Sequence, residues 1–437
     1  MKAVLKKIIP ASWLSTYHRL LAMCADVRYG HPSRRMVVIG VTGTKGKSTT
    51  SNILWKLLTD AGHTVGLTGT LNYRVGSYEE LSTYKMTMLG RFKLQAWLKR
   101  MADAGCDIAI VETTSEGIKQ WRHIGIAYDI AVFTNLTPEH LEAHGGFSEY
   151  KAAKLELFRR LAQLPVKNIA GKPVEKAGIF NMDSEYAQEF AAIGDYRKIR
   201  IGDAAGNDLV IGHIQEELNH TVFDLNGHTV TIPLLGRWNV SNAIVAAGAA
   251  LAVGVPLEQI ISSLPSIPQV PGRMEFIDAG QPFTVIVDYA HEPRSLELLY
   301  AFWRKRLSAA SGGKKLITLI SSTGGGRDVA RRQKNGAVAA KYCDVVIVTD
   351  EDPYDEDPRT IMNAVAEGTR AGGKMLGENM WEIVDRREAI QKACALAGPG
   401  DVVIIPCKGA EQKMCVSGGR KIDWDDRQVL REIIHSL

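Results

Sequence analysis

The sequence predicts an α/β protein. A central, mostly parallel, doubly wound sheet carries a P-loop and a small antiparallel sheet, and a C-terminal Rossmann-like α/β domain follows. Three observations predict this. Short β-branched apolar runs alternate with helix-period patterns from Met36 onward. The stretch Met36–Asn52, MVVIGVTGTKGKSTTSN, passes from strand through glycine loop into helix. Pro265, Pro268, Pro271 and Gly272 then punctuate the chain before the alternation restarts.

In order, Met36–Val41 reads as a buried parallel strand. It breaks into Gly43-Thr44-Lys45-Gly46-Lys47-Ser48-Thr49, and Ile53, Leu54, Leu57 and Leu58 continue at helical spacing. In this context glycines let backbone N–H groups close on phosphate oxygens, and the helix N-terminus adds partial positive charge. Lys47 would reach the terminal phosphates and Ser48 would bind Mg²⁺. The strict Walker pattern is not met, because Val41 stands at its first glycine. An ordinary strand–helix turn is the bland alternative, and GKST in this setting favours a nucleotide site.

Further strands are expected at Thr64–Thr70, Asp107–Thr113, Asp129–Asn135 and Gly178–Asn181, with helices near Lys47–Ala61, Phe92–Ala104 and Ser148–Leu164. Leu209–Ile214, Thr221–Leu225 and Thr229–Ile232 look like antiparallel strands with an Asn226-Gly227 turn. The Ala-rich run Asn239–Val253 is a buried helix belonging to either neighbour. Beyond the proline cluster come strands at Thr284–Asp288, Leu316–Ser321, Val345–Thr349 and Val402–Pro406, with helices to Leu307 and near Val329–Lys341. The expected divisions are an N-terminal helical segment, 1–35, a central ATP-binding domain, 36–268, and a C-terminal domain, 269–437.

A chain of 437 residues is too long for one typical core. Hydrophobic content of 45% and charged content of 23% are those of a soluble globular protein. The net charge of +5 reads as thinly spread, without the basic stripe that nucleic acid needs. The six cysteines show no CxxC spacing and read as buried free thiols in a reducing cytoplasm. No run of 18 apolar residues predicts a membrane span. Met1–Arg35 sets Lys2, Lys6 and Lys7 among Val4, Leu5, Ile8 and Ile9, then runs on through Trp13, Leu14, Tyr17, Leu20 and Leu21. It lacks an A-x-A-type cleavage site, so no signal peptide is expected. Such a segment lies on a membrane surface or packs on its own protein, and packing is favoured.

Val111-Glu112-Thr113-Thr114-Ser115 ends one strand, where open α/β sheets place ligands, and Phe133 to Gly145 ends the next. Glu112 and His140 beside a P-loop are candidate ligands of a second metal; alone, each would be a capping or surface residue.

On these residues the chain resembles the Mur ligase family of ATP-dependent amide-forming enzymes. Within it the chain is most similar to the MurE type, which adds the third residue of the peptidoglycan stem peptide. The matching motifs are GTKGKST, Asn135-Leu136 with Glu139-His140, and Tyr150-Lys151-Ala152-Ala153-Lys154. They continue through Gly236-Arg237-Trp238-Asn239-Val240-Ser241-Asn242-Ala243, Pro271-Gly272-Arg273-Met274-Glu275 and Asp288-Tyr289-Ala290-His291. Lys408-Gly409 with Glu411, and Asp426-Arg427, complete the set.

The resemblance implies that ATP phosphorylates a substrate carboxylate and an amine then attacks the acyl phosphate. Lys47 and Ser48 would serve the phosphates and the first Mg²⁺, and Glu112 and His140 a second Mg²⁺. Lys154 matches the lysine that the family carbamoylates; otherwise it is an ordinary helix lysine. Asn242 and Arg273 would face the nucleotide, with Asp288 and His291 in the C-terminal domain. Thr87, Thr114, Gln120 and Arg122 match positions contacting the UDP-sugar peptide. Arg327, Asp352, Tyr354 and Glu411 match the amino-acid pocket, where a free amino acid needs a cation for its carboxylate and an anion for its ammonium. The partners implied are a UDP-muramoyl peptide and an amino acid, met by a cytoplasmic monomer.

Three departures stand out. The segment before the P-loop is only about 35 residues, too short for the separate uridine-binding domain of typical MurE enzymes. The Asp-Asn-Pro-Arg motif linked to meso-diaminopimelate here reads Glu351-Asp352-Pro353-Tyr354, without the Arg that meets the distal carboxylate. The acidic Glu351, Asp352, Asp355, Glu356 and Asp357 would suit a cationic side chain, or form a solvated loop. Glu116 and Ala410 replace usual histidines, and Glu139 an Asp. Two rival readings stay open at this point: a ligase for another carboxylate, of folylpolyglutamate synthase-like or pseudomurein type, and a non-catalytic ATP-binding scaffold.

Overall fold

A computed structural model describes residues 11–138, 145–309, 312–326 and 329–436. The chain divides into two compact units, one ending at Pro268 and one beginning at Gln269.

The first unit is built on an eleven-stranded sheet among the described residues. From one edge its strands run His228–Ile232, Thr221–Leu225, Leu209–Glu216, Arg197–Gly202, Ala177–Asn181, Ile130–Phe133, Val37–Thr42, Ile108–Glu112, Val65–Thr68, Asn72–Val75 and Tyr78–Leu81. Pairing is parallel from Leu209–Glu216 through to Val65–Thr68, with antiparallel hairpins at both edges. The 209–232 strands hang on this sheet through Leu209 and Val210. The 72–81 hairpin turns at Gly76, φ 58°, and its outer strand is only half-buried or exposed, so no apolar alternation marks it.

Side-chain alternation along Val37–Thr42 builds both cores. Ile39 and Val41 join Ile53, Leu54, Leu57 and Ile244 on one face; Val38 joins Leu98, Met101, Tyr128, Leu157 and Phe158 on the other. Helices Lys47–Asp60 and Arg237–Val253 pack together on the first face. The Ala-rich helix therefore belongs to this unit. Its Gly248 lets it approach closely: a Cβ there would lie 2.6 Å from Ile201 Cδ1.

Register positions the site. Val41 pairs with Glu112, and Thr42 with Phe133, so three strand ends meet beside the loop. Helix Ala11–Arg28 packs on Arg91–Asp103, and its Ala22 and Ala25 are buried. Among the described residues no helix is long and apolar enough to cross a membrane. Five cysteines are buried free thiols, whereas Cys24 is exposed on the outer side of the first helix.

The second unit has a six-stranded sheet ordered Glu275–Phe276, Thr284–Val287, Val402–Ile405, Leu316–Ile320, Val345–Val348, Met380–Glu382 among the described residues. Only Glu275–Phe276 runs antiparallel. Its central strands are wholly buried apolar runs, as parallel strands covered on both faces must be.

Candidate active site

The loop after Val37–Thr42 is shaped by two glycines that no other residue could replace without displacement. Gly43 has φ 151°, and a Cβ there would sit 1.9 Å from Thr134 Oγ1; Gly46 has φ 81°, and its Cβ would sit 2.2 Å from Asn242 Oδ1. The end of the neighbouring strand stitches the loop in place. Lys45 N donates to Asn135 Oδ1 at 2.9 Å, and Asn135 Nδ2 returns a bond to Lys45 O at 3.1 Å. Thr44 N donates to Asn135 O at 2.9 Å, and Thr134 Oγ1 to Lys45 O at 2.7 Å. Helix Lys47–Asp60 starts directly at Gly46, with Ser48 and Thr49 buried in its first turn, so its N-terminal N–H groups lie at the loop.

Two lysines converge here. Lys47 Nζ donates to Gly43 O at 2.8 Å and Thr44 O at 2.9 Å, and Lys154 Nζ donates to Gly43 O at 2.7 Å. Lys154 is 2% exposed, on the buried face of helix Phe147–Gln163. Tyr150, one turn earlier, meets the Thr44 hydroxyl at 3.0 Å.

Glu112 is fully buried beside them. It accepts from Ser48 Oγ at 3.1 Å, from Thr70 Oγ1 at 2.9 Å and from Thr70 N at 3.2 Å. Burial raises its pKa, and the Lys47 charge, with the Thr70 and Ser48 hydrogen bonds, opposes that rise. The Ser48 hydroxyl and Glu112 carboxylate form a hard-oxygen pair that fits Mg²⁺. No cluster of three or more His, Cys, Asp or Glu exists among the described residues, so phosphate oxygens and water would complete the shell. Mg²⁺ favours such a shell. His140 and Arg327 lie outside the described residues.

Thr87 reaches this carboxylate indirectly. The Thr70 hydroxyl lies 2.8 Å from Thr87 Oγ1 and 2.9 Å from Glu112. Thr70 is the donor in both contacts, and its one proton serves one acceptor at a time. Thr114 caps helix Ser115–Lys119 by accepting from Gly117 N at 3.1 Å. That helix leads to Gln120 and Arg122, which bond each other at 2.6 Å, while Arg122 also donates to Met88 O. Arg91 donates to Gln120 O; burial lowers the pKa values of Arg91 and Arg122, and the Arg122 charge lowers that of Arg91 further. Two guanidiniums drawn this close suit an anionic group.

Asn242 sits against the loop, buried, with Thr50 Oγ1 at 3.4 Å. Thr70, Arg91, Thr134 and Asn135 are the residues that the sequence reading left out of the site. Asn135 had a signal in its motif with Leu136, whereas Thr70 and Arg91 had none.

In the second unit, Asp288 accepts from Met274 N at 2.6 Å and Ala290 N at 2.7 Å, tying the 271–275 loop to its strand. A Cβ on Gly272 would lie 2.0 Å from Ala410 N, so the Pro271–Glu275 and Lys408–Glu411 motifs meet backbone to backbone. The Arg273 guanidinium lies 4.3 Å over the Tyr289 ring, and His291 Nδ1 pairs with Tyr289 O at 2.7 Å.

Lys408 is wholly buried. It donates to Asp352 Oδ1 at 3.2 Å, Glu411 Oε2 at 3.1 Å and Lys413 O at 3.2 Å. Burial would lower its pKa, but Glu411, Asp352 and further carboxylates outweigh that and raise it. Asp352 also accepts from Cys415 N at 2.7 Å, and Tyr354, φ 54°, donates from its backbone to Cys415 O at 3.2 Å.

The acidic stretch is not a loose anionic surface. Glu351 takes Ser321 and Thr323 hydroxyls at 3.0 Å each, Asp355 takes Gly418 N at 2.8 Å, Glu356 pairs with Arg332 at 2.8 Å, and Asp357 caps helix Pro358–Ala371.

Comparison with known proteins identifies relatives of the chain. Residues 41–250 match the Mur ligase middle domain, and residues 272–409 the Mur ligase, glutamate ligase domain. Over 98% of its length the chain is 36% identical to the UDP-N-acetylmuramyl-tripeptide synthetase of Roseiflexus sp. (strain RS-1), covering 84% of that protein. It is 35% identical, again over 98% of its length and 84% of the relative, to the UDP-N-acetylmuramoyl-L-alanyl-D-glutamate–2,6-diaminopimelate ligase of Bacillus cereus. A solved structure of a ligase of that name matches at TM-score 0.60 and 29% identity, over 92% of this chain and 78% of that one.

Proposed function

From the premise that this chain belongs to the Mur ligase family, we propose that it is an ATP-dependent acid–amino-acid ligase of the MurE type. It joins an amino acid to UDP-N-acetylmuramoyl-L-alanyl-D-glutamate in peptidoglycan precursor synthesis. The observation that carries the reading is the convergence of Lys47, Lys154, Ser48 and Glu112 on one glycine loop at a helix N-terminus.

A carboxylate oxygen of the dipeptide attacks the γ-phosphorus of ATP, and ADP leaves. The amine then attacks the acyl carbon, phosphate leaves with the C–O bond, and the amine loses a proton. The first step gathers negative charge on the transferring group, and fixed positive donors are worth most where that charge develops. Lys47 and the N–H groups opening helix Lys47–Asp60 supply them. Ser48 and Glu112 hold Mg²⁺, which when bound neutralises further phosphate charge. Arg91, Gln120 and Arg122, with Thr87 and Thr114 beside them, hold the anionic muramoyl peptide. Asn242, Arg273, Asp288 and His291 serve the nucleotide, and His140 a second Mg²⁺. Lys154, buried against the loop, carries a carbamate: CO₂ adds to its amine with loss of a proton.

The amine substrate meets Arg327, Asp352, Tyr354 and Glu411. Tyr354 offers no guanidinium, so an amino acid without a distal carboxylate is the better fit. The enzyme works in the cytoplasm as a monomer.

The test is phosphate release from ATP and the muramoyl dipeptide with a panel of amino acids, products identified by mass. An amide product with one amino acid is expected; no release above background with any of them overturns the assignment.

A further inference from the structure

Helix Ala11–Arg28 is apolar on two opposite sides, and only one is covered. The inner side is buried at Ala22, Ala25 and Asp26. Ser15 Oγ there receives the Trp121 indole N–H at 2.7 Å. The outer side carries Trp13, Tyr17, Leu20, Met23 and Val27, exposed by 74, 56, 55, 49 and 64%. Positions 13, 17, 20 and 27 fall on one stripe, because steps of three and four residues return to the same helix face. A contiguous exposed apolar stripe of this kind marks an interaction surface.

The charge of the same segment says what it meets. Residues 1–35 hold seven of the 53 Lys and Arg but one of the 48 Asp and Glu, leaving 46 basic against 47 acidic residues in the rest. The positive excess of the protein thus lies entirely in this segment, which corrects the reading of a thinly spread charge. The single acid, Asp26, is buried and held by His31 at 2.6 Å, whereas Arg19, Arg28 and Arg34 are exposed.

We propose that the outer side of helix Ala11–Arg28, with the exposed Arg19, Arg28 and Arg34, docks on an anionic lipid bilayer. A helix lying in the bilayer plane buries its apolar stripe at the headgroup level, where Trp and Tyr rings are favoured, while flanking bases meet lipid phosphates. A second copy of the chain fits this face less well. The face offers no carboxylate, so two copies would set like charges together. Trp121, which rests on this helix, stands between Gln120 and Arg122, so docking would bring the muramoyl-peptide residues close to the membrane. The docking itself does not depend on the ligase reading.

The test is sedimentation of the full chain with vesicles of phosphatidylglycerol and phosphatidylethanolamine, against vesicles of phosphatidylcholine alone. Binding to the anionic vesicles is expected to be roughly tenfold tighter or more, and to weaken as salt is raised. The double variant Trp13→Glu, Leu20→Glu should lose roughly tenfold or more of that binding. Its thermal midpoint and its phosphate release in the absence of vesicles should stay unchanged, since both side chains are exposed. Absence of binding to anionic vesicles, equal binding to both vesicle types, or undiminished binding by the double variant overturns the proposal. So does a stable dimer that ignores vesicles and is dissolved by the same two substitutions. Vesicle binding with no phosphate release would sink the ligase reading alone.

Discussion

The ammonium groups of Lys47 and Lys154 donate to the same acceptor, the carbonyl oxygen of Gly43, at 2.8 and 2.7 Å. Both side chains thus lie against the glycine loop that opens helix Lys47–Asp60. Lys47→Ala should lower kcat by about 10³-fold or more with the fold retained by circular dichroism, because it removes a donor to developing phosphoryl charge. Lys154 is tested separately through its carbamate. Turnover should fall in bicarbonate-depleted buffer and return on adding bicarbonate, and Lys154→Ala should abolish that response. A variant still responsive to bicarbonate would rule out the assignment.

The Thr70 hydroxyl lies between Thr87 and Glu112, within hydrogen-bond distance of both, which makes Thr70 a positioning residue. Thr70→Val should weaken Mg²⁺ activation by about 10- to 100-fold in half-saturating concentration, with kcat at saturating Mg²⁺ much less affected. A titration of turnover against Mg²⁺ reads this directly. An unchanged midpoint would contradict it.

Glycine at the loop is required by space as well as by φ. Gly43→Ala drives a methyl onto Thr134 Oγ1, at 1.9 Å, and should abolish ATP binding in calorimetry. Gly62, φ 92°, has nothing within 4 Å of its would-be Cβ. Gly62→Ala should therefore cost only backbone strain, about 1 kcal/mol, and leave ATP affinity intact.

His123 is buried, and neither ring nitrogen has a hydrogen-bond partner among the described residues. Burial, with the Arg160 charge, pushes its pKa down to about 4 from 6.5. Between those values the unfolded chain binds a proton that the folded protein refuses, so stability falls as pH drops through that window, by up to about 3 kcal/mol. Urea unfolding at a series of pH values should show this slope. His123→Leu should flatten it, and an equal slope in the variant would assign the acid sensitivity elsewhere.

Lys408 neutralises Asp352 and Glu411 in the second unit. Lys408→Met would leave Asp352, deeply buried, without its counter-charge. It should destabilise the 269–437 unit by about 3 kcal/mol, read as a lower denaturant midpoint. The removal of Glu411, 22% exposed in its side chain, should matter less to stability than to amino-acid binding.

The P-loop, the parallel strands and the Ala-rich helix were legible because their signals are local. A β-branched run, a glycine pair and a 3.6-residue period each lie within one element, and the motifs from Gly43 to Arg427 followed in order. The 72–81 hairpin was not legible, because its half-exposed edge strand lacks apolar alternation. The apolar neighbours of Cys24 predict burial, yet the helix turns it outward.

The sequence by itself determined the α/β class, the loop chemistry of Lys47 and Ser48, and Glu112 at a strand end. Only the tertiary structure decided which groups share atoms. It set Lys154 on Gly43, Thr70 between Thr87 and Glu112, Arg91 beside Arg122, and gave each acid from Glu351 to Asp357 a partner inside the fold. The reason is physical. Backbone periodicity and steric permission act between near neighbours, whereas hydrogen bonds and ion pairs depend on strand register and helix packing that join residues far apart in the chain.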